Sequence, residues 1–72
     1  MSPDKMVHMA NQIAAFFKTQ PGGNAARGVA GHLNDFWEPR MRAQLIDYIA
    51  EGGAGLDPLV LDAAAHLKAP AD

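Results

Sequence analysis

The sequence predicts an all-α fold: a small bundle of three to four short helices in a single domain of 72 residues. Apolar residues recur at the three- and four-residue spacing of an amphipathic helix, and no stretch alternates polar and apolar residues as a half-buried strand does. Proline, glycine and N-cap residues also divide the chain into four helical segments. These segments are at about 3–19, 24–37, 39–51 and 58–68.

The first helix has clear start and stop signals. Ser2 is a favourable N-cap, and Pro3 suits the first helical position, where no backbone donor is needed. The segment Pro21-Gly22-Gly23 ends the helix and forms a turn. Between these signals one apolar stripe recurs at helical spacing, formed by Met6, Met9, Ala10, Ile13, Phe16 and Phe17.

The second helix carries two glycines in its interior. Asn24 is placed to cap its start, and Trp37 closes its apolar stripe with Phe36 beside it. Gly28 and Gly31 each destabilise the helix by roughly 0.5–1 kcal/mol relative to alanine. Two interpretations follow: the helix is weak on its own, or the glycines allow another backbone to approach closely.

The last two helices are also bounded by local signals. Pro39 starts the third helix, which stops at Gly52-Gly53. Asp57-Pro58 combines an N-cap with a first-turn proline and opens the fourth. Residues 69–72 are expected to form a frayed tail.

Composition argues against several classes of protein. Six Lys and Arg against eight Asp and Glu provide no basic field for nucleic acid. The absence of cysteine excludes disulfides and thiolate-bound zinc or iron–sulfur clusters. No apolar run approaches the roughly 20 residues that span a membrane, and no signal peptide is recognised. We therefore expect a cytoplasmic protein that binds neither nucleic acid nor membrane.

The sequence gives no support for an active site. His8, His32 and His66 lie on three different predicted helices, without the spacing of a metal-ligand set. No nucleophile–base pair can be assembled, and the glycine-rich turns follow helices rather than strands. We therefore predict no catalytic, cofactor-binding or metal-binding residue in this chain, and no enzymatic activity of its own.

The stretch DFWEPRMR, residues 35–42, is the most distinctive part of the chain. Phe36 and Trp37 either plug the end of the core and set the turn angle, or Trp37 is partly exposed and anchors a partner, since Trp and Arg are common at binding hot spots. Arg42 lies inside the apolar arc of the third helix, so either its stem lies along the core edge or a partner supplies a carboxylate. The candidate interface residues are Trp37, Arg42, Phe16, Phe17, Ile46 and Leu61.

Three segments together resemble one known family. They are SPDKMVHMANQIAAFF, HLNDFWEPRMRAQL and EGGAGLDPLVLDAA, and the resemblance to the delta subunit of NAD-dependent formate dehydrogenase covers residues 2 to about 67. It implies a small accessory subunit of a cytoplasmic molybdenum- or tungsten-dependent enzyme. That enzyme oxidises formate to carbon dioxide and passes electrons through iron–sulfur clusters and FMN to NAD.

The resemblance implies that all these cofactors reside in other subunits, and that the partner is the large alpha subunit. The chain would support assembly, stability or cofactor maturation, as a permanent subunit or as a maturation factor. When isolated, it could also form a homo-oligomer through the surface meant for its partner.

The alternative is a small helical regulator that binds nucleic acid through a helix-turn-helix. The turn Trp37-Glu38-Pro39 lacks the usual glycine, and Asp47 and Glu51 on the recognition helix would repel phosphate.

Overall fold

A computed structural model describes residues 1–68, which contain four α-helices and no strand. The predicted all-α fold class is therefore confirmed, while the predicted tail, residues 69–72, lies outside the described residues. The helices are α1 (Pro3–Lys18), α2 (Ala25–Phe36), α3 (Pro39–Ala50) and α4 (Pro58–Ala63), and α4 is followed by one 3₁₀ turn, Ala64–His66.

Proline opens three of these helices, and side chains cap two of the three. The Ser2 hydroxyl accepts a hydrogen bond from the Lys5 N–H at 3.3 Å, and the Asp57 carboxylate accepts one from the Leu59 N–H at 2.9 Å. Asn24 precedes α2, but its side chain does not cap the helix. Its φ of −115° and ψ of 35° lie outside the extended region that aims a cap side chain at the first turn.

The corner between α2 and α3 follows from Pro39. The proline ring disfavours helical angles at the residue before it, and Glu38 is extended with ψ of 150°. Trp37 is extended too, with ψ of 137°, so α2 ends at Phe36. The chain then enters α3 at an angle fixed by these two extended residues.

The fourth helix is shorter than the predicted segment 58–68, because a distant side chain competes for its backbone. The helix ends at Ala63 and tightens into the 3₁₀ turn. The Asn34 amide on α2 donates to the His66 carbonyl at 3.1 Å and accepts from the Lys68 N–H at 2.9 Å. Since this N–H is then used outside the helix, the α-helical pattern cannot continue to Lys68.

A second asparagine fixes the start of α4 in the same way. Asn11 on α1 donates its amide to the Gly55 carbonyl at 3.0 Å, and its side-chain oxygen accepts from the Asp57 N–H at 2.8 Å. The two asparagines therefore attach both ends of α4 to the α1–α2 pair.

The core surrounds α2, which approaches both α1 and α4 closely, whereas the backbone of α3 stays farther from the other helices. Alanines on α1, α2 and α4 permit these close approaches, and residues 1–68 contain no buried polar or charged residue. The buried residues are Met6, Ala10, Ala14, Val29, Ala30, Leu33, Trp37, Leu45, Leu56, Val60 and Ala63.

Candidate protein-docking site

Phe36 and Trp37, adjacent at the end of α2, have opposite surroundings. Trp37 is only 6% exposed, whereas Phe36 is 73% exposed. Trp37 follows Leu33 by four residues on the buried stripe, and Phe36 lies about 100° away around the helix axis. The structure therefore places Trp37 in the core rather than partly exposed. The prediction that Phe36 also plugs the end of the core is wrong. Phe36, which is absent from the predicted interface residues, is the exposed aromatic side chain of this corner.

The Arg42 guanidinium donates hydrogen bonds to backbone carbonyls of its own chain. Its Nη1 donates to the carbonyls of Trp37 at 2.7 Å and Asn34 at 3.3 Å, and its Nε donates to the Lys68 carbonyl at 3.3 Å. The first two carbonyls belong to the end of α2, where the helix itself offers no partner. Arg42 thus caps α2 and ties it to α3 and to the segment after the 3₁₀ turn. Backbone carbonyls, rather than a partner's carboxylate, satisfy these donors.

Four aromatic rings form a continuous row across α1 and α2. Phe16 and Phe17 meet edge to face at 5.2 Å between ring centres, and Phe17 meets the His32 ring at 6.4 Å. The His32 and Phe36 rings are 4.8 Å apart and tilted by 36°. Phe16 at one end of the row is 59% exposed, and Phe36 is the other end. The row therefore presents two exposed phenyl rings with two half-buried rings between them.

The row borders a shallow apolar groove of about 500 Å³ between α1 and α2. The α1 residues that line it extend from Met9 to Phe17, which corresponds to about 12 Å or two helical turns. Only Gln12 and His32 contribute polar side chains to the lining. The lining residues are Met9, Gln12, Ile13, Phe16, Phe17, His32 and Trp37.

Gly28 on α2 allows the Phe17 ring to lie against the helix. A Cβ placed on Gly28 would be 2.6 Å from two carbons of that ring, closer than real contacts permit. A Cβ on Gly31 would meet nothing within 4 Å. The predicted close approach is therefore found at Gly28 alone, and there the neighbour is a side-chain ring instead of another backbone.

Ile46 and Leu61 are not brought to this groove. Ile46 is half-buried on α3, and Leu61 is 40% exposed on α4. Leu61 instead packs over Gly53, since a Cβ at that glycine would lie 2.8 Å from its methyl carbon. Of the six predicted interface residues, Phe16, Phe17 and Trp37 line the groove.

Acidic side chains flank the groove at its Phe36 end. Asp35 precedes Phe36 on α2, Glu38 follows Trp37 at the corner, and both residues are exposed. Among residues 1–68 the single ion pair joins Lys18 to Asp57, so neither Asp35 nor Glu38 has a cationic partner there. This part of the rim therefore carries two carboxylates that form no ion pair within residues 1–68.

The Lys18–Asp57 pair has a structural role at the start of α4. The Lys18 ammonium, together with the Leu59 N–H, holds the pKa of the Asp57 carboxyl below its usual value of 3.8. The pair fixes the end of α1 against the N-cap of α4 and lies outside the groove lining.

The lining of the groove is mostly apolar, with few polar groups. Within residues 1–68, no three His, Asp or Glu side chains are grouped so that they could hold a metal ion. His32, the ionisable side chain of the groove lining, contacts phenyl rings. A groove with exposed phenyl groups at its edges can bury an apolar side chain of another molecule. It offers no nucleophile with an adjacent base.

Phe36 is the residue of this site that sequence reasoning missed, although a signal was present. The stripe of α2 has room for only one of the two adjacent aromatic residues, and the spacing from Leu33 already assigns Trp37 to it. Phe36 must then project to the side of the helix.

No helix formed by residues 1–68 combines the length and apolar character needed to cross a membrane.

Comparison with known proteins identifies one family. The family model described as NADH-dependent formate dehydrogenase delta subunit FdsD matches residues 5–64. The matched segment includes every residue that lines the groove and the whole DFWEPRMR corner. A search of curated proteins gives no match.

Proposed function

The chain belongs to the family of NADH-dependent formate dehydrogenase delta subunits, and we propose that it is a non-catalytic accessory subunit that docks onto the large alpha subunit. Docking occurs through the α1–α2 groove and its two exposed phenylalanines. The bound chain supports assembly and stability of the complex, or maturation of the cofactor in the alpha subunit.

The observation that carries this proposal is the pair Phe16 and Phe36, which are 59% and 73% exposed. Phe16 lines the apolar groove, and the Phe36 ring lies against His32, which also lines it. Contiguous exposed apolar surface on a small protein is typical of an interaction site. Aromatic side chains that enter a partner contribute much of the binding energy in most interfaces. A chain of this size also has a marginal core of its own, so burial of the groove by a partner would stabilise it.

The docking surface proposed here differs from the one expected from sequence. Phe16 and Phe17 remain, and Phe36 joins them. Trp37 and Arg42 act indirectly, because Trp37 forms the floor at one end of the groove and Arg42 fixes the corner that presents Phe36. Ile46 and Leu61 lie outside this surface.

The redox cofactors of the complex belong to other subunits under this proposal. These are the molybdenum or tungsten cofactor, the iron–sulfur clusters and FMN. The donor set of the chain does not fit a cluster, since it contains no cysteine thiolate. Residues 1–68 likewise contain no group of ligands suited to a metal ion. The chain would function in the cytoplasm, where its partner subunits work.

The test replaces the two exposed phenyl rings and leaves the buried residues of the core unchanged. The double variant Phe16→Ser/Phe36→Ser is tagged and expressed in the native host from which the original gene has been deleted. We expect the wild-type chain to co-purify with the large subunit and with formate-dependent NAD reduction, and the variant to lose both. Circular dichroism should show an unchanged helical content, since both side chains are largely exposed.

Leu61→Ser is the matched control, because Leu61 is an exposed apolar side chain away from the groove lining. It should leave co-purification and activity at the wild-type level. The proposed surface is wrong if Leu61→Ser abolishes co-purification while the double phenylalanine variant retains it. The proposed function is wrong if the wild-type chain brings down no larger subunit and its deletion leaves formate-dependent NAD reduction unchanged.

A further inference from the structure

We propose that the occupant of the groove is an amphipathic α-helix of a larger formate dehydrogenase subunit, with a Lys or Arg beside its apolar stripe. This inference rests on the proposed function and specifies the partner's chemistry at the same site. Three properties of the described residues carry it: the secondary structure around the groove, the groove's length, and the charge of its rim.

The surrounding secondary structure favours a helix over an extended peptide. An extended peptide usually gains affinity by adding a strand to a free sheet edge. Residues 1–68 contain no strand and therefore offer no such edge. The backbone groups of α1 and α2 are used within their own helices, so the groove presents side chains only. A helix satisfies its own backbone hydrogen bonds and needs only side-chain contacts.

The length of the groove matches the spacing of anchors on a helix. Its α1 side runs for about 12 Å, and residues at positions i and i+7 of a helix are about 10.5 Å apart. A helix lying in the groove could therefore place anchors at i, i+3 or i+4, and i+7 against Met9, Ile13 and the phenyl rings. Because the floor is apolar, Leu, Met or Phe would fit these positions.

The charge of the groove rim determines which side chains of the bound helix would flank its apolar anchor residues. Asp35 lies three residues after His32 on α2, which places it on the solvent edge of the groove, and Glu38 lies just beyond Phe36. Both are exposed, and neither forms an ion pair within residues 1–68. A cationic side chain on the bound helix would compensate this charge. Electrostatic complementarity of this kind sets the orientation of a partner and raises the association rate.

A lysine on α1 lies beside the opposite rim and favours the α2 side for the partner's cation. Lys5 precedes Met9 by four residues on α1, so helical geometry places it beside the other edge of the groove. A Lys or Arg of the bound helix would therefore be attracted to the α2 rim and repelled from the α1 rim. This asymmetry allows one orientation of the helix and disfavours the reverse.

The first experiment measures binding to the remaining subunits, purified as a complex from a strain lacking this chain. The double variant Asp35→Lys/Glu38→Lys reverses the charge of the α2 rim. The control Asp47→Lys/Asp62→Lys makes the same change of net charge at exposed sites on α3 and α4. We expect the rim variant to bind at least about tenfold more weakly at low salt, with the difference shrinking as salt screens the charges. The control should bind like wild type. Equal affinities of the two variants would overturn the inference that the partner helix carries a Lys or Arg beside its apolar stripe.

The second experiment identifies the occupant directly. The photoreactive residue benzoylphenylalanine is placed at position 16 or 36 of the full chain, with position 61 as the control, and the complex is irradiated. We expect cross-links from both groove positions to one segment of a larger subunit that carries apolar residues at helical spacing and a flanking Lys or Arg. Cross-links to a segment without that pattern, or to a second copy of this chain, would overturn the inference.

The outcomes separate this inference from the proposed function. If the wild-type chain binds the complex but positions 16 and 36 do not cross-link, the chain is still an accessory subunit, but it contacts the complex through a surface other than the groove. If wild-type chain does not bind the complex at all, the proposed function and this inference both fail.

Discussion

Alanine substitution at the two glycines of α2 tests the packing of the groove wall. Both glycines lie within the helix, but their surroundings differ. A Cβ at Gly28 would be 2.6 Å from the Phe17 ring, and a Cβ at Gly31 would meet nothing within 4 Å. The same substitution at positions three residues apart therefore separates helix propensity from packing, and each variant is the control for the other.

The expected magnitudes follow from these distances. Gly31→Ala removes backbone freedom from the unfolded chain and adds a methyl group in open space. It should stabilise the protein by about 0.5–1 kcal/mol, or roughly 2–8 °C in Tm for a domain of this size. Gly28→Ala gains the same propensity but must displace the Phe17 ring, and overpacking typically costs about 1–3 kcal/mol. Its net effect should range from neutral to about 2.5 kcal/mol destabilising.

Thermal and urea unfolding followed by circular dichroism measure both variants. The predicted order of stability is Gly31→Ala, then wild type, then Gly28→Ala. Because Phe17 lines the groove, Gly28→Ala should also weaken binding to the other subunits. A Gly28→Ala protein as stable as Gly31→Ala would refute the contact with Phe17. A destabilised Gly31→Ala protein would refute the open surroundings of that position.

Substitutions at four further positions test the contacts that hold the fold. Trp37→Ala removes a buried indole and should destabilise the chain by about 3–5 kcal/mol in urea unfolding, whereas a change below about 1 kcal/mol would contradict its place in the core. Arg42→Met and Arg42→Lys should both lower the unfolding free energy, by roughly 1–3 kcal/mol, because methionine has no donor and the single nitrogen of a lysine ammonium does not reproduce the planar fork by which Nη1 and Nε reach three carbonyls; full rescue by lysine would exclude this capping role. Asn34→Ala frees the His66 carbonyl and the Lys68 N–H, so amide exchange of Lys68 should accelerate while the amides of α1 remain unchanged. For Asp57, whose pKa is lowered in the folded state, the stabilising effect is present above the ordinary value of 3.8 and is lost as pH falls toward the folded pKa. The stability difference between wild type and Asp57→Asn should therefore be constant near neutral pH and shrink in acid, and a difference that grows in acid would contradict the sign of the shift.

Local signals in the sequence account for most helix starts but not for the end of α4. Pro3, Pro39 and Pro58 act on their own backbone and on the residue before them, so their effects can be read directly. The end of α4 depends on Asn34, which lies 32 residues before His66 and could equally have been a solvated surface residue. The local sequence does not distinguish a solvated Asn34 from one that binds the backbone after α4, because this hydrogen bond forms only when α4 packs on α2.

The candidate docking site was predictable only in part, because it too depends on contacts between distant segments. The spacing along α1 places Phe16 and Phe17 on the edge of the apolar stripe, and both do border the groove. The roles within DFWEPRMR depend on tertiary contacts. The sequence leaves open whether Arg42 lies along the core edge or binds a partner's carboxylate, because it does not give the position of α2 beside Arg42. In the structure the unpaired carbonyls at the end of α2 face its guanidinium.

The DFWEPRMR segment is therefore distinctive because several requirements meet at one corner. Pro39 ends α2, Trp37 fills the core at that point, and Arg42 binds the carbonyls that the ended helix leaves unpaired. Phe36, between Asp35 and Trp37, is the one hydrophobic side chain of this corner that remains largely exposed. Because Trp37 also lines the groove, damage to the corner would change the shape of the proposed docking surface as well as the stability of the fold. Loss of binding in a Trp37 or Arg42 variant is then accompanied by lower stability, whereas loss of binding in a Phe36 variant is not. Binding and unfolding measured on the same variants therefore distinguish the residues that build the surface from the residues that touch the partner.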